Sequence, residues 1–389
     1  MGTVYSGNDV ARLEEEMSSH IGVADAVAMP MARVGIYAAL CSLIRPGQTV
    51  IMSPYTIADV VNMVVAAGGR PVFADVDRNT CNIDPDRIAE LIDDRTGAIL
   101  ATHFYGLMCD MPRIVEIAEA AGIPVIEDAA QAFGARQGNR LAGSIGTVGI
   151  FSFGLYKSVS AFRGGMVVSD DKALVEKIRD MIEGYVDRPS QKLMIDVAKG
   201  FLVDLITAPV LFSPVFFRMF RTALLRNWEF INRRLKIDLN PSLNRSLPAK
   251  YQYKLAQVQA RLIQQNFGDA SSGNQHRIRT AQKYHEGLVD LPDLILPPLC
   301  DDGSHVYWYY PIQYTRRGEL VAYAARHGRD IAASYHRNCA EMSCFAEFAG
   351  DCPNARETAA SVIYLPTYPR YDDREVELTI RTIRDFFGC

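Results

Sequence analysis

Two short segments hold the residues best suited to covalent chemistry. VIEDAAQAFGA (Val125 to Ala135) sets an acidic residue, Asp128, directly after an apolar run, and FSFGLYKSVSAFRGG (Phe151 to Gly165) sets Lys157 in a loop 29 residues further on. A lysine and a carboxylate so arranged suit pyridoxal phosphate, whose electron-sink chemistry needs a Schiff-base lysine and an anionic partner that keeps the ring nitrogen protonated. Each residue taken singly is weak evidence. A loop lysine is ordinarily a solvated surface residue, and an aspartate after a strand is ordinarily a helix N-cap.

Such side chains need a scaffold that gathers strand ends, and the flanking sequence supplies one. From 20 to 170, short β-branched runs alternate with amphipathic stretches, which predicts an α/β domain with a mostly parallel sheet covered by helices. Strands are expected at 26–29, 49–52, 71–75, 98–102, 124–127, 148–153 and 165–169, and helices at 34–43, 57–67, 85–92 and 111–121. Asp84 followed by Pro85 marks the third helix start. In such sheets ligands bind beyond the C-terminal strand ends, where Asp128 falls. A long amphipathic helix is expected over 250–267, then a smaller α+β portion with strands at 306–314 and 361–365 and helices at 319–325 and 373–387. The expected division is a large domain over 1–250 and a small C-terminal one over 251–389.

The 389 residues are 49% hydrophobic and 22% charged, which excludes a disordered or fibrous chain. A net charge of -4 gives no global reason to bind nucleic acid. The eight cysteines are scattered without a C-x-x-C pair, so neither a disulfide framework nor a metal site is expected. The first nine residues lack the basic and apolar runs of an export signal, and a cytoplasmic location is expected. Charge is nonetheless segregated: Ser190 to Ile237 holds eight basic residues against three acidic ones and is strongly apolar in its first half. Trp228 and Trp308 read as packing or interface aromatics.

Taken together, the motifs resemble the DegT/DnrJ/EryC1/StrS family of sugar aminotransferases, fold type I pyridoxal phosphate enzymes. Further matches in the same order are PVFADVDRNTCNIDP, THFYG, SHVYWYYPI, ASYHR and IYLPTYPRY. The resemblance implies Lys157 as the Schiff-base lysine, Asp128 as partner of the ring nitrogen, Gln131 beside the ring oxygen and Ser152 on the phosphate. It implies His103, Lys254, His305 and His336 as substrate contacts, and a homodimer with shared sites. Where the family usually has Ser-Gly-Thr the chain reads Met31-Ala32-Arg33, so the phosphate is expected at the helix start of Ala32 and Arg33. Ile57 stands where an aromatic usually stacks on the ring, and Gln252-Tyr253-Lys254 replaces the Asn-Tyr-Arg segment that reaches the neighbouring subunit's phosphate. Retention of Lys157 argues against the family's dehydratase branch, in which histidine takes its place.

The resemblance lapses over about 190–245, which reads as an inserted segment. Two prolines and several charges make it a poor spanning helix. Its apolar faces (Phe201, Leu202, Leu205, Ile206; Phe216, Phe217, Phe220, Leu224) beside Arg218, Arg221, Arg226, Arg233 and Arg234 favour a peripheral contact of 196–235 with the inner membrane face over a flap on the dimer partner. The expected activity is transfer of an amino group, from glutamate, to a keto-sugar on a nucleotide or lipid carrier. The alternatives are a membrane-associated cofactor-binding scaffold or regulator with little catalysis, or another sugar-modifying pyridoxal phosphate enzyme of the same fold such as a dehydratase.

Overall fold

The computed structural model describes residues 7–207, 217–218, 221–222 and 241–389. Seven strands form the main sheet: β1 (Asp25–Met29), β2 (Thr49–Met52), β3 (Arg70–Phe73), β4 (Thr96–Thr102), β5 (Val125–Asp128), β6 (Val148–Ser152) and β7 (Gly165–Ser169). Their order is β1-β7-β6-β5-β4-β2-β3. Pairs from β6 through β3 are parallel, and β7 runs antiparallel to both neighbours. The connecting helices are α1 (Asp9–Ile21), α2 (Ala32–Leu43), α3 (Ala58–Ala66), α4 (Pro85–Leu91), α5 (Met111–Ala121) and α6 (Lys172–Glu183). As the sequence predicts, Asp84 caps α4, its carboxylate accepting the Asp86 N–H at 2.9 Å, with Pro85 in the first turn.

The strands are apolar on both faces because both are covered. Val27, Val50, Leu100 and Ile150 pack with Ile36 and Leu40 of α2 and Val61 and Val64 of α3. Ala28, Ile51, Ile99 and Phe151 pack on the other side with Leu13 and Met17 of α1 and Ile114 of α5. Gly149 in β6 is required by a close approach, since a Cβ there would stand 2.1 Å from the Gly143 carbonyl oxygen.

Beyond the sheet come α7 (Ser190–Ile206), α8 (Gln257–Phe267), α9 (Ala270–Leu288), β8 (Tyr310–Gln313), α10 (Arg317–Arg326), β9 (Ala332–Ala333), α11 (Pro353–Ser361), β10 (Val362–Leu365) and α12 (Asp373–Phe387). A small antiparallel sheet, β8-β10-β9, packs its Tyr310, Ile312, Ile363 and Leu365 with Tyr284 and Leu288 of α9 and Val376 and Ile383 of α12.

Three expectations change. The helix expected from 250 begins at Gln257, because Tyr253 instead bridges Val186 and the Gln259 side chain caps the Ala256 N–H at 3.2 Å. Ala260 and Ile263 of α8 join the core of the large sheet, so that core extends past residue 251. The strand expected at 306–314 shortens to Tyr310–Gln313, since Val306 and Trp308 donate their N–H groups to Gly106 and Tyr105 carbonyls and the intervening Tyr307 takes φ 48°. Much of the expected insertion, including Phe216, Phe220, Leu224, Arg226, Arg233 and Arg234, lies outside the described residues. Among those described, no helix is long and apolar enough to cross a membrane.

Candidate active site

A cavity of about 400 Å³ opens at the C-terminal ends of the parallel strands. Thr102, Asp128 and Ser152 from the ends of β4, β5 and β6 form its floor; Ala32 and Arg33 of α2, Ile57 and the loop from Gly154 to Gly164 form walls; Trp308, Tyr335 and His336 close it from the C-terminal portion. Seven of the residues named from sequence as holding a cofactor therefore meet in one place: Lys157, Asp128, Gln131, Ser152, Ala32, Arg33 and Ile57.

Asp128 ends β5 and is 6% exposed. Its carboxylate accepts the Ala130 N–H at 3.1 Å, and among the described residues no side chain forms an ion pair with it. Burial pushes its carboxyl up, a shift opposed by the Ala130 N–H and the charge of Lys157. A buried carboxylate lacking a paired cation is what a protonated ring nitrogen complements, so the donor set fits a pyridoxal group.

Lys157 follows β6, its N–H donated to the Gly154 carbonyl at 3.0 Å. Its ammonium stands 4.1 Å from the centroid of the Trp308 ring, and that indole is fixed by donating its Nε1–H to the Tyr156 carbonyl at 2.8 Å. Burial lowers the amine from 10.5 to about 8; Arg33 pushes it the same way, while Asp128 opposes. An amine so poised is a nucleophile near neutral pH.

Gln131 accepts the Tyr105 N–H at 2.9 Å through Oε1, leaving its amide N–H groups as what it can offer the cavity. Ser152 Oγ accepts the Gly154 N–H at 3.4 Å. The start of α2 presents helix-terminal N–H groups, the usual seat of a phosphate. The Arg33 guanidinium, expected beside that phosphate, is instead engaged by Asp59 and by the Tyr251 hydroxyl at 3.2 Å.

His336 joins the cavity through a buried hydroxyl chain. Tyr105 and Tyr55 hydroxyls are 2.5 Å apart, Tyr55 and Ser334 2.8 Å, Ser334 and Tyr364 2.7 Å, and Tyr364 lies 2.8 Å from His336 Nδ1. With each hydroxyl donating once, from Tyr105 toward the histidine, four protons fill four links and Nδ1 accepts. The reverse order adds a proton on Nδ1 and leaves that of Tyr105 without a comparable acceptor. The neutral ring then carries its proton on Nε2. Burial and the charge of Lys157 lower this imidazole to about 3, in keeping with the neutral form.

The other proposed substrate contacts lie elsewhere. His103 is fully buried, with Nε2 3.0 Å from Glu127 Oε2 and Nδ1 accepting the Cys109 N–H at 3.1 Å, so neither nitrogen remains for a substrate. Burial works against the Glu127 charge, but His103 and the Gly146 and Gly143 N–H groups outweigh it and hold the carboxyl below its ordinary range. His305 is buried against Tyr307, ring centroids 3.6 Å apart, and does not line the cavity. Gln252 donates to the Leu247 carbonyl at 3.3 Å, and Lys254 lines a separate cavity with Glu14 and Arg179. Neither reaches this chain's own cavity, and the resemblance assigned their segment to a neighbouring subunit.

Trp308, Tyr335, Phe162 and Arg163 also line the cavity; Trp308 reads from sequence only as a packing or interface aromatic, and none of the four was given a role at the site. Trp308 carried no local signal, since it lies 151 residues from the lysine it covers.

Comparison with known proteins identifies the family and the fold. The DegT/DnrJ/EryC1/StrS aminotransferase family profile matches residues 1–202 and 232–384. The spore coat polysaccharide biosynthesis protein SpsC of Bacillus subtilis is 28% identical over 99% of this chain and 91% of its own length. The UDP-N-acetyl-3-dehydro-alpha-D-glucosamine 3-aminotransferase of Acidithiobacillus ferrooxidans is 29% identical over 97% of this chain and 88% of its own. A DegT DnrJ EryC1 StrS aminotransferase from Brucella abortus superposes with a TM-score of 0.78 at 21% identity, covering 100% of this chain and 92% of that one. With its family profile running through both the aspartate and lysine segments, the chain belongs to the DegT/DnrJ/EryC1/StrS aminotransferase family and is a pyridoxal phosphate-dependent aminotransferase.

Proposed function

We propose that the protein moves an amino group from glutamate to a keto-sugar carried on a nucleotide or lipid, working as a homodimer at a membrane surface. The observation that carries the reading is the cavity lined by both Lys157 and Asp128. Pyridoxal phosphate, when bound, supplies the electron sink and stores the amino group between half-reactions. Lys157 holds the cofactor and, as the free amine, takes a proton from the substrate carbon at Nζ and returns it. Asp128 holds the ring nitrogen's proton, Gln131 offers its amide to the ring oxygen, and Ser152 with the start of α2 seats the phosphate. His336 offers its Nε2–H to an acceptor oxygen.

Support for a carrier-borne sugar comes from a second cavity of about 350 Å³ that shares Thr56, Ile57 and Tyr335 with the first and is also lined by Lys250 and Arg337, cations suited to a phosphate-bearing carrier. Support for a surface contact comes from α7, whose Met194 is 70% and Phe201 66% exposed.

Incubation with ¹⁵N-glutamate and nucleotide-linked keto-sugars, read by mass spectrometry, tests the reaction: label in the sugar, absent with Lys157→Ala, is expected. A bound cofactor whose absorbance never responds to glutamate would instead favour the scaffold. Vesicle flotation of the full chain against a deletion of 196–235 tests the surface contact, and equal failure to float removes it.

A further inference from the structure

α7 lies against the end of the loop that carries Lys157. Leu193, Asp196 and Gly200, spaced three and four residues apart, share one helix face. On that face Asp196 Oδ2 stands 2.6 Å from Arg188 Nη2 and 3.6 Å from Arg163 Nε. Gly200 meets the ring of Phe162 so closely that a Cβ there would lie 2.0 Å from Cδ1 and Cε1. Phe162 takes φ 64°, a left-handed conformation that an aromatic residue keeps only where its surroundings hold it. Phe162 and Arg163 both line the active cavity, and the next residue, Gly164, bridges Met31 at the start of α2. The lysine loop is thus gripped at one end by α7 and tied there to the helix start expected to seat the phosphate.

We propose that α7 is a positioning element of the active cavity, with Asp196 and Gly200 the residues through which it holds the lysine loop closed. Arg163 and Arg188 repel one another, and Asp196 is the carboxylate that reconciles them. Without its charge, the repulsion of Arg188 on Arg163 is no longer offset between them and Arg163 swings away from the cavity wall, releasing Phe162 from its left-handed conformation. The outer face of α7 does not compensate, since Met194, Ile195, Leu202 and Leu205 are exposed. The inference deepens the reading of this cavity as the cofactor site, yet its first test is read before any cofactor is added.

Hydrogen exchange on the full chain without cofactor should show the amides of 155–163 exchanging about tenfold faster in Asp196→Asn and in Gly200→Val, with α12 unchanged and Asp196→Glu close to the parent. A titration with pyridoxal phosphate, followed by tryptophan fluorescence, should then show about tenfold weaker binding by both variants. Parent-like exchange of 155–163 in both variants overturns the proposal. Should Gly200→Val unfold the chain, α12 reports it and the isosteric Asp196→Asn decides. Faster loop exchange in a protein that never binds pyridoxal phosphate would sustain the positioning role and sink the cofactor reading.

Discussion

The contact between Lys157 and Trp308 makes a quantitative prediction. The amine lies at about 8 rather than 10.5, lowered by burial and Arg33 against the pull of Asp128. At about pH 7.4 such a group is roughly 20% free base, against roughly 0.1% for an ordinary lysine, a gain of more than a hundredfold in nucleophile. The indole face 4.1 Å away favours the charged form and so holds the value up. Trp308→Leu keeps an apolar wall and removes the π face, a loss of about 1–2 kcal/mol in a desolvated setting, or about one unit downward. The assay is the rate of covalent capture of pyridoxal phosphate by stripped protein from about pH 5.5 to 10, with Lys157→Ala as blank. The parent should show a midpoint near 8, Trp308→Leu a midpoint about one unit lower, and Trp308→Phe a value between them. A parent midpoint above 10, or an unchanged midpoint in Trp308→Leu, would refute the reasoning.

Other outcomes follow from the same geometry. The folded value of Lys157 lies below the unfolded one, so the unfolded chain binds the extra proton between about 8 and 10.5 and stability from this group rises with pH through that window. Lys157→Met should therefore raise the melting temperature of stripped protein at neutral pH, and the gain should shrink toward pH 10. Asp128→Asn removes the anion facing the ring nitrogen and should cost at least a hundredfold in turnover while lowering the capture midpoint further. Because His336 is held near 3, kcat/KM should show no limb from it around pH 6.5, and Tyr364→Phe should raise KM more than it lowers kcat by loosening the ring. Glu127→Ala strips a buried anion from His103 and from the Gly143, Ile145 and Gly146 N–H groups and should cost about 3–5 kcal/mol in denaturant unfolding.

Much of the floor of the site was legible because it is local. A strand end and the residues just beyond it are positioned by a few neighbouring backbone bonds, so the strands that end at Asp128 and Ser152 could be placed from periodicity and flanking turns, while the phosphate roles of Ser152 and the α2 start came from the family resemblance. The strand expected at 306–314 was misjudged for a converse reason. Its apolar alternation is genuine, but the first part hydrogen-bonds to the Tyr105–Gly106 turn rather than to a strand, and that partner lies two hundred residues earlier.

The two histidines His103 and His336 mark the limit of a linear reading. Both sit in aromatic-rich stretches and both were expected to face substrate. One is sealed between Glu127 and the Cys109 N–H; the other rests on Tyr364 and lines the cavity. Residue order alone determined the α/β scaffold, the pairing of a strand-end carboxylate with a loop lysine, and the cofactor they suit, because hydrophobic period and motif spacing are properties of short segments. Which side chains close the cavity over that lysine was decided by tertiary packing. Trp308, Tyr335 and His336 arrive from other parts of the chain, and burial, not spacing, chose which polar groups were left to face the ligand.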